Sequence, residues 1–221
     1  MKLLMEALTK FACGLLMVAL LIFLPAGTLC YTYGWLFVGL LFVPMLIAGL
    51  VMLKKSPEFL KKRLDAKEKQ GTQKGVVAFS GLMFIVGFVV AGLDFRFGWS
   101  HMPAWVTIIA SVLFLVAYAL YAEVMRENAY LSRTIKVEEG QIVVDTGLYG
   151  IVRHPMYAVT ILLFLMIPIV LGSWYALIAF AVYPILIVVR LKNEEELLTK
   201  ELPGYAEYKQ KVKYRIIPFI W

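Results

Sequence analysis

Histidine and cysteine are nearly missing from this chain of 221 residues, with two of each. Two histidines are too few for a histidine-rich di-iron site, and no zinc ligand set is present. Cys13 and Cys30 are too far apart along a helix to bridge, and two cysteines make no disulfide framework. Charge is sparse, at 17% of residues, and the acidic side is the poorer, with 15 Asp and Glu against 22 Lys and Arg. No G-x-G-x-x-G follows a strand-like run, which excludes a soluble-type dinucleotide domain. No serine or cysteine stands in a recognisable nucleophile setting beside histidine and aspartate. Internal repeats and low-complexity segments are absent too.

What the chain has is apolar length. Hydrophobic residues make up 62% and the mean hydropathy is +0.80, far above a soluble domain. Six apolar stretches stand out, roughly 8–27, 33–53, 76–93, 104–122, 157–171 and 174–190. The first four approach the ~20 residues of a spanning helix. The last two are shorter; fifteen helical residues reach only ~22 Å. The expectation is an all-α integral membrane protein of about six transmembrane helices, ending in a helical hairpin with a cytosolic cofactor pocket. Residues 1–27 read as a retained anchor rather than a cleaved signal.

The net charge of +7 is unevenly placed. Residues 54–74 carry eight Lys/Arg and the tail from Arg190 carries seven; Arg126, Arg133, Lys136 and Arg153 fall between stretches four and five. On the other side stands Arg96. Basic residues stay in the cytoplasm, so both termini and the active site are expected there. These charges report orientation and contact with membrane lipids; with no soluble domain to carry them, no nucleic-acid partner is expected.

Along the chain, Tyr31, Tyr33 and Trp35 read as an outer aromatic belt. Ser56-Pro57-Glu58 reads as a helix start, leading either into an interfacial helix with Phe59, Leu60 and Leu64 on lipid or into a solvated basic loop. Gln70 to Gly75 reads as flexible, and Asp94 and Arg96 as a pair on the outer face. Ile135 to Val137 and Gln141 to Val144 resemble a short β-hairpin. The last residues, ending in Trp221, suggest a segment folding back on the membrane surface.

The chemistry concentrates at the two mouths of one apolar hairpin. Arg153-His154-Pro155-Met156-Tyr157 precedes about thirty uncharged residues, broken by Gly172-Ser173; Arg190 follows, then Glu194, Glu195 and Glu196. Folding at the break brings Pro155 and Arg190 to one depth. Charge at a membrane boundary is costly unless paired or functional. Pro155 suits a first helical turn, with His154 capping it. Arg153 and Arg190 offer forks for a carboxylate or phosphate. Glu194, one turn past Arg190, suits ribose hydroxyls or an amine, and Tyr149, Tyr157, Tyr205 and Tyr208 offer π faces for a purine or a cation.

These residues also carry a family resemblance. Gly147-x-Tyr149, Arg153-His154-Pro155-Met156-Tyr157, Arg190-x-x-x-Glu194-Glu195-x-x-Leu198, Tyr205-x-x-Tyr208 and Pro218-Phe219-Ile220 resemble the isoprenylcysteine carboxyl methyltransferases and the related phospholipid N-methyltransferases. The resemblance covers about 135–221 and points to a prokaryotic-type member. It implies an integral membrane methyltransferase that uses S-adenosyl-L-methionine. By position, Gln141, Ile142, Val143, Val144, Tyr149, His154, Pro155, Met156, Tyr157 and Glu194 would line the cofactor pocket. Arg190 would hold an acceptor carboxylate such as that of a prenylated cysteine, with Arg153 as a second cation. An amine acceptor would require a base, and Glu195 or His154 are the candidates. The expected organisation is 1–122 as anchor helices with the basic loop 54–75, and 123–221 as the catalytic region. A phospholipid N-methyltransferase, an NADPH-dependent enone or sterol reductase, and a transporter remain as alternatives; the last would put polar groups at the bilayer midplane.

Overall fold

The computed structural model describes residues 2–64, 71–131 and 137–221. Apolar runs become helices because lipid offers no partner to a bare backbone amide. They are α1 (Lys2–Ala26), α2 (Thr32–Lys55), α3 (Pro57–Leu64), α4 (Gly71–Phe97), α5 (Ala104–Glu127), α6 (Pro155–Val170), α7 (Trp174–Phe180), α8 (Tyr183–Glu201) and α9 (Tyr205–Lys211). Among the described residues there is no strand. By length and composition five segments are suited to crossing a membrane: α1, α2, α4, α5 and the α7–α8 pair taken together. At 16 residues α6 is shorter, reaching only about 24 Å.

Helix α4 packs on α1, α7 and α8, while α5 lies along α6. The core is aromatic: Phe37, Phe114 and Phe180 are fully buried, and Phe84 and Phe88 meet Phe180 edge to face. Pro44 interrupts α2, and the Tyr118 hydroxyl of α5 donates to the Leu41 carbonyl in the turn before it (3.1 Å). The break between α7 and α8 falls at Ala181-Val182, with Pro184 in the first turn of α8.

Several local expectations are corrected. Gln141 to Val144 form irregular chain rather than a strand. Ile135, Lys136 and Arg133 lie outside the described residues, as do Lys67 and Gln70. The stretch read as flexible belongs, from Gly71 on, to α4. The segment after Ser56 is helical, yet Leu60 is buried and Lys62 pairs with Glu138 at 2.5 Å. Helix α3 is thereby tied to the rest of the protein through Leu60 and Lys62. Tyr31 is not in a belt: it is 1% exposed, stacks on Phe95 and donates to the Leu171 carbonyl.

Asp94 turns inward rather than towards Arg96. Its carboxylate accepts from the Ser100 amide (2.7 Å), the Ser100 hydroxyl (2.6 Å) and the Ser173 hydroxyl. Ser173 in turn caps α7 by accepting from the Ala176 amide at 3.0 Å. Gly172, at φ 74°, makes the preceding turn in the left-handed region that favours glycine. One buried carboxylate therefore ties the α4–α5 turn to the α6–α7 turn.

Candidate active site

At the opposite end of α6 the chain builds a second knot. Glu127, the last residue of α5, accepts from the Leu148 amide through both oxygens (3.2 and 2.9 Å). Gly147 sits at φ 52°, in the left-handed region that favours glycine, and a Cβ there would fall 1.5 Å from Glu127 Oε1, so a larger residue would have to displace this carboxylate. This contact seats the short 3-10 turn Gly147–Gly150 that carries Tyr149. The next residues run extended against the tail: the Arg153 amide donates to the Tyr214 carbonyl (2.9 Å) and the His154 amide to the Arg215 carbonyl (2.8 Å). Pro155 then opens α6 as its first residue, where a missing N–H costs nothing.

Glu195 lies under this strap. Arg153 Nε donates to its Oε1 at 2.7 Å, Arg215 Nε to its Oε2 at 3.0 Å, and His154 Nε2 stands 3.3 Å from Oε1. Arg153 Nη1 also donates to the carbonyls of Val212 and Lys213 (2.8 and 2.9 Å). Arg153 and Glu195 are both buried. A charge pair removed from water is tolerated only when its hydrogen bonds are this complete.

Glu194, the adjacent residue on α8, points elsewhere. The Tyr157 hydroxyl donates to Glu194 Oε2 and accepts from Arg190 Nε at 3.1 Å. Arg190 Nη1 donates to Gln73 Oε1 of α4 at 3.1 Å. The Tyr157 ring stacks on His154, with centroids 5.5 Å apart. Tyr208 closes the floor, its hydroxyl donating to the Tyr149 carbonyl at 2.7 Å. Burial pushes the phenols of Tyr149, Tyr205 and Tyr208 above their ordinary pKa, so all three stay neutral.

Around these groups opens a cleft of about 830 Å³, counting the open space at its mouth. Gln141, Ile142, Val143, Val144, Tyr149, Arg153, His154, Met156, Tyr157, Arg190 and Glu194 line it, together with Tyr205 and Tyr208. A second groove, of about 940 Å³, runs between α4, α6 and α8 over Val76, Val77, Phe84, Phe164 and Ile187. Its walls are mostly apolar, with Ser80, Thr160 and Tyr183 among them, and its end shares Met156, Tyr157 and Arg190 with the cleft.

The structure thus gathers eleven of the thirteen residues expected at the site. Pro155 and Glu195 do not line the cleft. Glu195, read as a base, is instead engaged by Arg153, Arg215 and His154. Arg153, read as a substrate cation, spends its guanidinium on Glu195 and two carbonyls of the tail. His154 occupies the capping position of α6 without a side-chain cap; its carbonyl accepts from the Tyr157 and Ala158 amides while its ring turns to Glu195. Asn128, Tyr130, Leu131 and Leu202 also line the cleft and had no sequence signal beyond their place near the motifs. Arg215 did have one, as a lone cation inside the apolar run Tyr214 to Trp221.

Comparison with known proteins agrees with the motifs. Residues 103–200 match the isoprenylcysteine carboxyl methyltransferase (ICMT) family. The tail motifs after Leu198 fall almost wholly beyond the matched stretch. The uncharacterized protein YpbQ of Bacillus subtilis (strain 168) is 25% identical over 165 residues, 74% of this chain and 95% of that protein.

Proposed function

We propose, from the match of residues 103–200 to the ICMT family, that this protein transfers a methyl group from S-adenosyl-L-methionine to the carboxylate of a lipid-like acceptor, such as a prenylated cysteine. The observation that carries this reading is the junction of a polar cleft and an apolar groove at Met156, Tyr157 and Arg190. A soluble, charged donor fits the first and a lipid tail the second.

The cleft suits the donor. Glu194 and the ring faces of Tyr149, Tyr157 and Tyr205 favour a cation, while the irregular backbone of Gln141 to Val144 offers amides and carbonyls along one wall. When bound, the donor supplies a methyl group on a positively charged sulfur. The acceptor carboxylate is already a nucleophile at neutral pH, so no proton has to be removed. Arg190 holds and aims it. Opposite charges cancel as the ester and the thioether form, and such a reaction proceeds best in a site that excludes water and fixes both partners. The tail strap over Glu195 and the neutral tyrosines supply that exclusion. Arg153, on the cleft wall, and Glu195 behind it then position the His154–Tyr157 turn.

In this reading residues 1–122 anchor the protein, 123–221 carry the chemistry, and the cleft faces the cytosol with both termini. The excess of basic residues at that end supports the orientation. Cys30 is exposed near the opposite end, so a membrane-impermeant maleimide applied from outside would label it.

The deciding experiment is calorimetry of the purified protein with S-adenosylmethionine, S-adenosylhomocysteine and NADPH, followed by methylation of a prenylated N-acyl cysteine. Binding of the two sulfur compounds and formation of a base-labile methyl ester are expected. Binding of NADPH alone would favour a reductase. Arg190→Ala is expected to abolish turnover and spare affinity for S-adenosylmethionine.

A further inference from the structure

We infer that Gln73, on α4 and outside the family-matched stretch, is a second hydrogen-bond donor to the acceptor carboxylate and helps to set specificity for an acid. The inference rests on the methyl-transfer reading above and goes beyond it in naming a residue from the anchor half.

Three observations carry it. Gln73 is 0% exposed, and its Nε2 has no hydrogen-bond partner among the described residues. A buried N–H without a partner loses its bond to water with nothing in return, and native structures rarely leave one so. The second is chemical. Gln73 Oε1 accepts from Arg190 Nη1 at 3.1 Å. A guanidinium has donors only, so the amide oxygen must face it and the NH₂ end is left over. Interchanging the two ends would set donor against donor. The third is position. The two polar atoms of an amide lie about 2.3 Å apart, which puts Nε2 within about 5.5 Å of Arg190 Nη1. Arg190 lines both the polar cleft and the apolar groove, and Gln73 backs it without lining either space itself.

A carboxylate has nearly the same spacing between its own two oxygens. One oxygen takes charge-assisted bonds from Arg190 and the other takes the Nε2 proton of Gln73. A neutral ester, once formed, has lost the charge and half of this recognition, which favours release of product. An ammonium group would instead meet the cationic Arg190 and the Gln73 NH₂, and at these two groups it is disfavoured.

The test measures acceptor KM, kcat and S-adenosylmethionine Kd for Gln73→Met and Gln73→Glu on the full-length protein, with a prenylated N-acyl cysteine as acceptor. It also measures inhibition by the acid and by its methyl ester. Gln73→Met should raise acceptor KM about tenfold while kcat and cofactor Kd change by no more than about twofold. It should also erase the preference for acid over ester. Gln73→Glu should raise KM further, because a second carboxylate repels the first; should Gln73→Met fail to fold, this variant decides alone. An unchanged acceptor KM, or cofactor Kd rising in step with it, would overturn the inference while leaving the methyltransferase reading intact. A wild-type protein that binds no S-adenosylmethionine sinks both.

Discussion

Two buried carboxylates hold the two ends of α6, and they are solvated differently. Asp94 accepts only from neutral groups: an amide and the hydroxyls of Ser100 and Ser173. Glu195 meets two guanidinium groups and an imidazole. Hydrogen bonds to charged donors are about twice as strong as neutral ones, so the heavier clamp sits where a long strap must be held over a cleft. The lighter one only fixes two tight turns. The comparison also separates Glu195 from Glu194. Consecutive residues on a helix do not share a face, and α8 uses this to bury one acid in the clamp and leave the other beside Tyr157 and Arg190.

Breaking the heavier clamp is expected to have the largest effect. Arg153→Ala leaves Glu195 buried with fewer partners and should cost about 3–5 kcal/mol, read as a lowered unfolding midpoint in detergent together with loss of cofactor binding. The lighter clamp should behave otherwise. Ser173→Ala removes a donor from Asp94 and the cap of α7, for about 1–3 kcal/mol, but leaves S-adenosylmethionine affinity unchanged in calorimetry. If both variants weakened the cofactor equally, the two ends would not be functionally distinct.

Glu194→Gln sharpens the contrast between neighbours. Stability should hold, while cofactor affinity drops about tenfold with the loss of one charge-assisted contact. Smaller still is the alkaline limb of stability. Folding keeps Tyr205 and Tyr208 protonated above their ordinary value of 10.0, so the folded chain retains protons that the unfolded chain has released. Stability is then insensitive to these groups below about pH 10 and falls above it, by about 1.4 kcal/mol per pH unit for each phenol. Denaturant unfolding of Tyr208→Phe between pH 9 and pH 11 should show the shallower slope. At the exposed pair of Asp145 and Lys211, Asp145→Asn should leave the melting curve where it was.

How much of this was legible in the sequence follows from what each signal depends on. Apolar length forecast the helices, because in lipid length and hydrophobicity leave the backbone no alternative. The depth match across Gly172-Ser173 forecast the meeting of Tyr157, Arg190 and Glu194, since a hairpin converts spacing into height. What stayed hidden depends on rotation about a helix and on distant partners. Nothing local says that Glu195 rather than Glu194 faces Arg215, or that Asp94 turns from Arg96 to Ser173. The hairpin-like run at Gln141 to Val144 misled because no second strand pairs with it among the described residues; the segment instead lines the cleft.

The strap has a consequence for biogenesis. Arg153 is held by carbonyls 59 and 60 positions further along, so a ribosome must deliver those residues before the cleft has a lid. The hairpin can therefore enter the bilayer before the strap that holds Arg153 exists, and the cleft is completed only after Val212 and Lys213 have been added.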